Sequence, residues 1–375
     1  MNYGNIDFRS FYNWWKNIDK SILFIIIILF GLGLFFSLAS TSLIASDKLN
    51  TNSYYFFFKH FFYIVLGTFC IIFFSILSEK DLIKLSVILF FIFLFFLLLV
   101  PIIGIEVKGS KRWIDFPFLP RFQPIEILKP FFIITIAAVL SNENNKNIYF
   151  KYSISFFIIS TIILLLITQP DIGQSLLVFS TWLSLIFISG INLALFFAIF
   201  LIILLSLFVM IFLYPLKFGY ILIRLESFLD SSSGNNYQSD KALEAIINGG
   251  FFGRGIGEGV LKNRVPEAHT DYIVSVISEE FGVIFIVFLM IIFLFFSYQV
   301  FKKLNFEKNN LIRLVLVGCI SITLIQVLIH IGVNIRLFPT TGMTLPYISY
   351  GGSSIIGTSI ISGVVLNLTK RKAVN

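Results

Sequence analysis

The chain has 375 residues, 57% of them hydrophobic and 13% charged, with 47 phenylalanines and a mean hydropathy of +0.93. That composition excludes an ordinary soluble domain and matches a polytopic membrane protein. The formal net charge of +8 shows no basic stripe with interleaved aromatics outside the apolar runs, so it reads as loop charge facing anionic lipid, with no nucleic-acid partner expected.

Spanning a hydrocarbon core of roughly 30 Å takes about 17 to 25 apolar residues. Segments of that kind are predicted near 21–45, 58–77, 84–103, 124–141, 154–169, 172–188, 191–213, 272–300, 311–335 and 345–368, about ten in all. The expected fold class is therefore an all-α integral membrane protein, one polytopic domain over 1–375. The first segment is too long for a signal-peptide core, and its flank with Trp14 and Trp15 reads as an interfacial anchor, so retention is expected. Segments five and six are short and meet at Gln169, Pro170 and Asp171, which leaves a re-entrant hairpin open; Asp171 caps segment six as readily as it binds anything.

Short loops carrying Lys16, Lys20, Lys80, Lys84, Lys302, Lys303 and Arg313 put both termini on the cytoplasmic side, with residues 1–20 as an interfacial N terminus and 369–375 as a basic tail. The shorter loop, read at 105–130, breaks the charge rule. Lys108, Lys111 and Arg112 bracket Gly109 there, followed by Trp113, a set able to hold a phosphate or pyrophosphate or simply to touch lipid headgroups. Next, Glu126 and Lys129 lie three apart on one helical face, as a structural ion pair or a substrate-facing cation.

Residues 215–270 form the one long external loop before helix eight, with a short helical phrase at Lys241–Ile247 and then six glycines between Gly249 and Gly259. So many glycines suggest a backbone that approaches a ligand or bends sharply. The stretch Arg264 to Glu280 then crowds Glu267, His269, Asp271, Glu279 and Glu280 at the mouth of an apolar helix, where ionisable groups mark a working site. Thr270 or Asp271 serves equally as a plain N-cap, but neighbouring carboxylates and partial burial would also make a usable base. Glu279 or Glu280 is expected to face an internal cavity or pair with a cation such as Lys129. Gly351 and Gly352 open the last helix, where small residues allow close packing. His330 reads as a hydrogen-bonded core histidine. Cys70 and Cys319 lie in apolar runs, and three scattered histidines do not make a zinc site.

Four motifs, QPIEILKP at 123–130, TQPDIGQSLL at 168–177, PEAHTDYIVSVISEEFG at 266–282 and TTGMTLPYISYGGSS at 340–354, resemble the SEDS family (shape, elongation, division and sporulation) in order and spacing. PEAHTD and LPYISYGGSS look more like its division type than its elongation type. Ile125 departs from the small residue usual between Pro and Glu. The resemblance implies a ten-helix membrane glycosyltransferase that polymerises undecaprenyl-pyrophosphate-linked lipid II into β-1,4 glycan at the division septum of the plasma (inner) membrane. Its implied partners are lipid II and nascent glycan, a class B penicillin-binding protein (an FtsI-like transpeptidase), other divisome membrane proteins and membrane lipid.

The family's essential external aspartate falls on Asp271, implied to be the catalytic base. Candidate substrate-binding residues are Lys108, Lys111, Arg112, Trp113, Gln123, Glu126, Lys129, Arg264, Glu267, His269 and Arg336. A divalent cation, Mg or Mn, held by Asp271 or Glu267 is an open alternative. A hydroxyl attacking the anomeric carbon of a pyrophosphate donor needs a base near the hydroxyl and positive charge near the leaving group. One essential carboxylate suits inversion. Two rival classes stay open: a lipid flippase or transporter, and a non-catalytic division scaffold. Either should tolerate Asp271→Asn.

Overall fold

A computed structural model describes residues 8–38, 54–107, 109–117, 119–142, 147–213, 215–229 and 237–370. The chain is a helical membrane protein. Six described helices are long and apolar enough to cross a membrane: α3 (Tyr55–Ile76), α4 (Glu79–Ile103), α5 (Pro124–Ser141), α6 (Ile148–Thr168), α12 (Val283–Leu304) and α13 (Asn310–Asn334). Shorter apolar helices are α2 (Lys20–Phe36), α7 (Ile172–Ile188), α8 (Leu193–Leu213, apolar over Leu193–Ile202) and α14 (Gly352–Leu368). The ten expected apolar segments each find a helix, because side-chain transfer into hydrocarbon and internal backbone pairing both demand one there.

Helix starts follow capping chemistry: Asp19, Ser78, Asn147 and Asn309 each accept an amide hydrogen bond from the first turn of the helix they open. The amphipathic α1 (Phe8–Asn17) turns Trp14 inward, where its Nε1 donates to Ser75 Oγ at 2.9 Å, and leaves Trp15 exposed under Lys20 Nζ at 5.6 Å. The core gathers around α14, nearly every residue of which is buried against α3 and α5. Close approach is what its small residues allow: a Cβ on Gly357 would lie 2.3 Å from the Glu126 carbonyl oxygen.

Four features differ from the sequence reading. The loop at 105–123 is a three-stranded antiparallel sheet, β1 (Ile105–Val107), β2 (Ser110–Phe116) and β3 (Leu119–Phe122), in the order β1-β2-β3. Ile105 pairs with Trp113 and Ile114 with Phe122. Gly109, at φ +76°, sits in the β1–β2 turn, so its flexibility serves a hairpin. The expected eighth span is broken at Gly282 (φ +81°, ψ 168°), which ends α11 (Ile273–Phe281) and precedes α12. The tenth begins at Gly352, its first seven expected residues being irregular. Finally, the expected long loop carries two helices, α9 (Pro215–Leu229) and α10 (Tyr237–Gly249), wider than the phrase at 241–247. Lys108, residues 39–45 of the first expected segment, 230–236 of the long loop, 1–7 and 371–375 fall outside the described residues.

Candidate active site

Asp271 lies at the entrance to α11, in the turn that begins at Glu267. That turn closes on itself, with Thr270 N donating to Glu267 O at 3.1 Å and Tyr272 N to the same oxygen at 3.3 Å. Asn334, the last residue of α13, fixes it from below: its Nδ2 donates to Asp271 O (3.1 Å) and its Oδ1 accepts from Ser275 N (3.1 Å). The irregular stretch at 340–351 closes the other side, where Ser349 Oγ donates to Thr270 O at 2.7 Å and Tyr350 N to His269 O at 3.0 Å. Asp271 is therefore held by main-chain and amide bonds from two elements distant in sequence.

Opposite stands Arg112 on β2. Its Nε donates to Gln169 O at 3.2 Å, its Nη2 donates to Pro170 O, and its Nη1 lies 3.7 Å from Asp171 Oδ1. Asp171 caps α7 through Gln174 N (3.4 Å) and accepts from Gln123 Nε2 (2.9 Å). Burial raises the Asp171 carboxyl above the ordinary carboxylate range, with Arg112 opposing that rise. A second guanidinium, Arg224 on α9, donates from Nη1 to Thr340 O at 3.2 Å. Its pKa is lowered, first by burial and then by the neighbouring charge of Arg112. Gly342, at φ +71°, lies between the two chemistries: a Cβ there would sit 3.6 Å from Asp271 Oδ2 and 3.7 Å from Arg112 Nη1. The positive φ favours glycine there, and a glycine adds no side chain to the space between them.

The space is a cavity of about 400 Å³, with a second of about 120 Å³ that shares Arg112, Arg224, Asp271 and Gly342 with it. Of the residues singled out in the sequence, it brings together Arg112, Trp113, Gln123, Glu126, Glu267, Asp271 and Gly351. Glu126 reaches its wall while paired with the buried Lys129 at 2.7 Å and accepting from Gln174 Nε2 at 2.5 Å. Lys129 also donates to Gln326 Oε1 at 3.3 Å and does not line the cavity, so it takes the ion-pair role left open above.

Other candidates lie elsewhere. Lys111 is exposed, because neighbours on a strand point to opposite faces and Arg112 takes the inner one. Arg264 is exposed on a short 3₁₀ turn, Leu261–Arg264. Arg336 binds Asp240 at 2.6 Å, which anchors α10 to the end of α13. His269 packs its ring against Phe56 and Tyr350. Gly352 meets the Tyr63 ring, where a Cβ would come within 2.4 Å, so its smallness serves helix packing. His330 is a core residue whose Nδ1 lies 2.7 Å from Met343 O.

Glu279 and Glu280 lie away from the partner named for them in the sequence. Neither faces Lys129 or the cavity: Glu279 Oε1 accepts from Asn248 Nδ2 (2.9 Å), Val260 N (3.0 Å) and Leu261 N (2.8 Å), and Glu280 Oε1 from Gly257 N (3.2 Å). The glycines nearby answer to this clasp. A Cβ on Gly253 would meet the Glu280 carbonyl oxygen at 2.2 Å, and one on Gly249 that of Ser278 at 2.1 Å. Gly249 and Gly253 thus approach the end of α11 closely, while Gly250 and Gly257, with nothing within 4 Å, serve the positive φ of the backbone there.

Sequence reasoning missed Arg224, Thr270, Thr344, Tyr350, Ser353 and Ser354 in the cavity wall. The signal for Arg224 was present as an external arginine in the long loop; the helix that carries it inward was not foreseen. Among the described residues no group of three or more His, Cys, Asp or Glu side chains forms a metal cluster. Glu267 and Asp271 are two carboxylates on one wall, a donor set that fits a magnesium-type ion shared with substrate phosphates.

A family model described as cell cycle protein, FtsW/RodA/SpoVE, matches residues 20–373. Curated relatives named probable peptidoglycan glycosyltransferase FtsW include that of Caulobacter vibrioides, 30% identical over 359 residues, covering 96% of this chain and 91% of the relative. That of Coxiella burnetii is 33% identical and covers 93% and 95%. Buchnera aphidicola from Acyrthosiphon pisum supplies another, 34% identical, covering 91% and 86%. Among solved structures, a chain from work on the structural coordination of polymerization and crosslinking by a peptidoglycan synthase complex superposes with a TM-score of 0.77 at 24% identity, covering 94% of this chain and 97% of that one. Thermus thermophilus RodA, a rod shape determining protein, gives 0.68 at 24% identity, covering 95% and 97%. These likenesses show the same fold. With a family model spanning nearly its whole length and relatives above 30% identity along it, the chain belongs to the FtsW/RodA/SpoVE family.

Proposed function

We propose that this protein is a peptidoglycan glycosyltransferase of the division type, polymerising lipid II into β-1,4 glycan strands at the septum, with Asp271 as general base. The observation that carries the reading is the juxtaposition around Gly342: a carboxylate, Asp271, and two guanidiniums, Arg112 and Arg224, line the same cavity. The reaction needs both signs of charge. Asp271 takes the proton from the attacking sugar hydroxyl as the oxygen bonds to the anomeric carbon. The bond to the donor's pyrophosphate breaks with its electron pair going to the phosphate oxygen, whose negative charge Arg112 and Arg224 face. Direct displacement with a single carboxylate as base inverts an α-linked donor.

Arg112 is preorganised by the Gln169 and Pro170 carbonyls, so it does not have to reorient as charge develops. Where a divalent ion joins the substrate, Glu267 and Asp271 would hold it, and it would supply charge neutralisation at the pyrophosphate. The relatives' name supports the glycosyl-transfer class, and the solved synthase complex pairs polymerization with crosslinking, which supports a class B penicillin-binding protein as partner.

The deciding experiment reconstitutes the chain with its cognate penicillin-binding protein and lipid II, comparing wild type with Asp271→Asn. Long strands from wild type and none from the variant are expected. Equal polymer from both removes Asp271 as base, and lipid translocation without polymer from either puts a flippase in its place.

A further inference from the structure

The most exposed of the large hydrophobic side chains described is Phe252, at 84%, and it belongs to a loop rather than to a membrane-crossing helix. Phe251, Ile256 and Val260 on the same loop are exposed too, as is Ile247 at the end of α10. Left to water, such a cluster would fold under the chain; a contiguous exposed apolar patch marks a binding surface. Here the backbone prevents collapse. Glu279 and Glu280 grip it at Gly257, Val260 and Leu261, and its other arm is bonded to the start of α12, Val283 N to Gly250 O at 3.0 Å and Ile284 N to Phe251 O at 3.3 Å.

Those last two bonds tether the patch to the start of a candidate membrane span. α12 is long and apolar enough to cross a membrane, and its Ile284, Val287, Phe288 and Ile291 are exposed in the same manner as Phe251 and Phe252. The loop patch thus adjoins the start of a helix long and apolar enough to cross a membrane. Arg254 is exposed on the same loop, its Nε and Nη2 donating to Asn248 at 2.8 Å. Aromatic rings with an adjacent arginine are the side chains that the headgroup boundary favours.

We propose that residues 250–260 form a membrane-surface anchor, with Phe251, Phe252 and Ile256 inserted at the headgroup–acyl boundary of the leaflet that α12 enters. The consequence reaches the cavity without depending on its chemistry. α11 carries Asp271 just before one end and the clasp carboxylates at the other, so a lipid-seated loop fixes the height of Asp271 above the bilayer.

The test is a nitroxide at Phe252→Cys in the full chain, reconstituted in phosphatidylethanolamine–phosphatidylglycerol vesicles. Phe288→Cys serves as the lipid reference, and the unsubstituted chain carried through labelling gives the background from Cys70 and Cys319. A ratio of oxygen to nickel-complex collisions above one, at a depth shallower than position 288, is the expected result. Preferential collision with the nickel complex overturns the proposal. So does an aqueous label that becomes shielded only when a penicillin-binding protein is reconstituted alongside, which would make the patch a protein-docking surface.

Discussion

The two ends of α11 carry carboxylates in opposite circumstances. Asp271 and Glu267, before its first turn, line a cavity faced by Arg112 and Arg224; Glu279 and Glu280, in its last turn, are buried and accept main-chain amides from the loop at 257–261. Both pairs looked alike in sequence, as ionisable groups at the edge of an apolar helix. The difference is in who answers the charge. Main-chain amides donated to Glu279 and Glu280 make a clasp, whereas carboxylates and guanidiniums that line one cavity make a site for a third party.

Breaking the first end should have the largest effect. Asp271→Asn keeps the shape but removes the base, and polymerisation should fall by about 100-fold or more in a lipid II assay, with thermal stability little changed. Arg112→Gln should follow, at about tenfold to 100-fold; Asp171 already shares its charge, so the loss stays below that of a dedicated oxyanion donor. Arg112→Lys should not restore it, since an ammonium cannot reach the Gln169 and Pro170 carbonyls and the cavity together.

At the other end the cost should appear as stability. Glu279→Ala strips an acceptor from three donors, and at about 1–3 kcal/mol for each buried group left unsatisfied, a loss near 3 kcal/mol is expected, read as a lower melting temperature in detergent. Unchanged melting with abolished polymerisation would erase the distinction between the two ends. A finer cut compares two glycines of the loop. Gly253→Ala adds a clash at 2.2 Å to the strain of φ +81° and should cost about 2–3 kcal/mol; Gly257→Ala, at φ +82° with open space around it, should cost about 1 kcal/mol.

The smallest effect concerns pH. Asp171 has a raised native pKa, so the folded state holds its proton more tightly than the unfolded chain. Stability should therefore decline as pH rises from 3.8 toward that raised value, and Asp171→Asn, which can still cap α7, should flatten this part of the stability–pH curve.

Much of the fold was legible because hydropathy and capping are local. Runs of apolar residues marked ten helices, and Asp171 marked where one begins; the caps Asp19, Ser78, Asn147 and Asn309 emerged with the structure. The break at Gly282 was not, since the apolar pattern of 273–300 runs straight through it and only the close approach of Phe251 O, 2.1 Å from a Cβ at that glycine, requires the bend. Nor was the sheet, whose strands of three, seven and four residues are too short for alternation to stand out among lysines and arginines.

By itself, then, the sequence determined a multi-pass helical protein and the family it belongs to, because transfer of side chains into hydrocarbon and a four-part motif order are properties of the chain read in line. Which charges share a cavity was decided only by the tertiary structure. Arg112, Arg224 and Asp271 are separated by more than forty residues at each step and meet around Gly342. Lys111, one residue from Arg112, faces away, and Glu279 is bonded to the glycine loop. Strand alternation, helix packing and the location of each charge's nearest donor are three-dimensional facts, and linear spacing carries none of them.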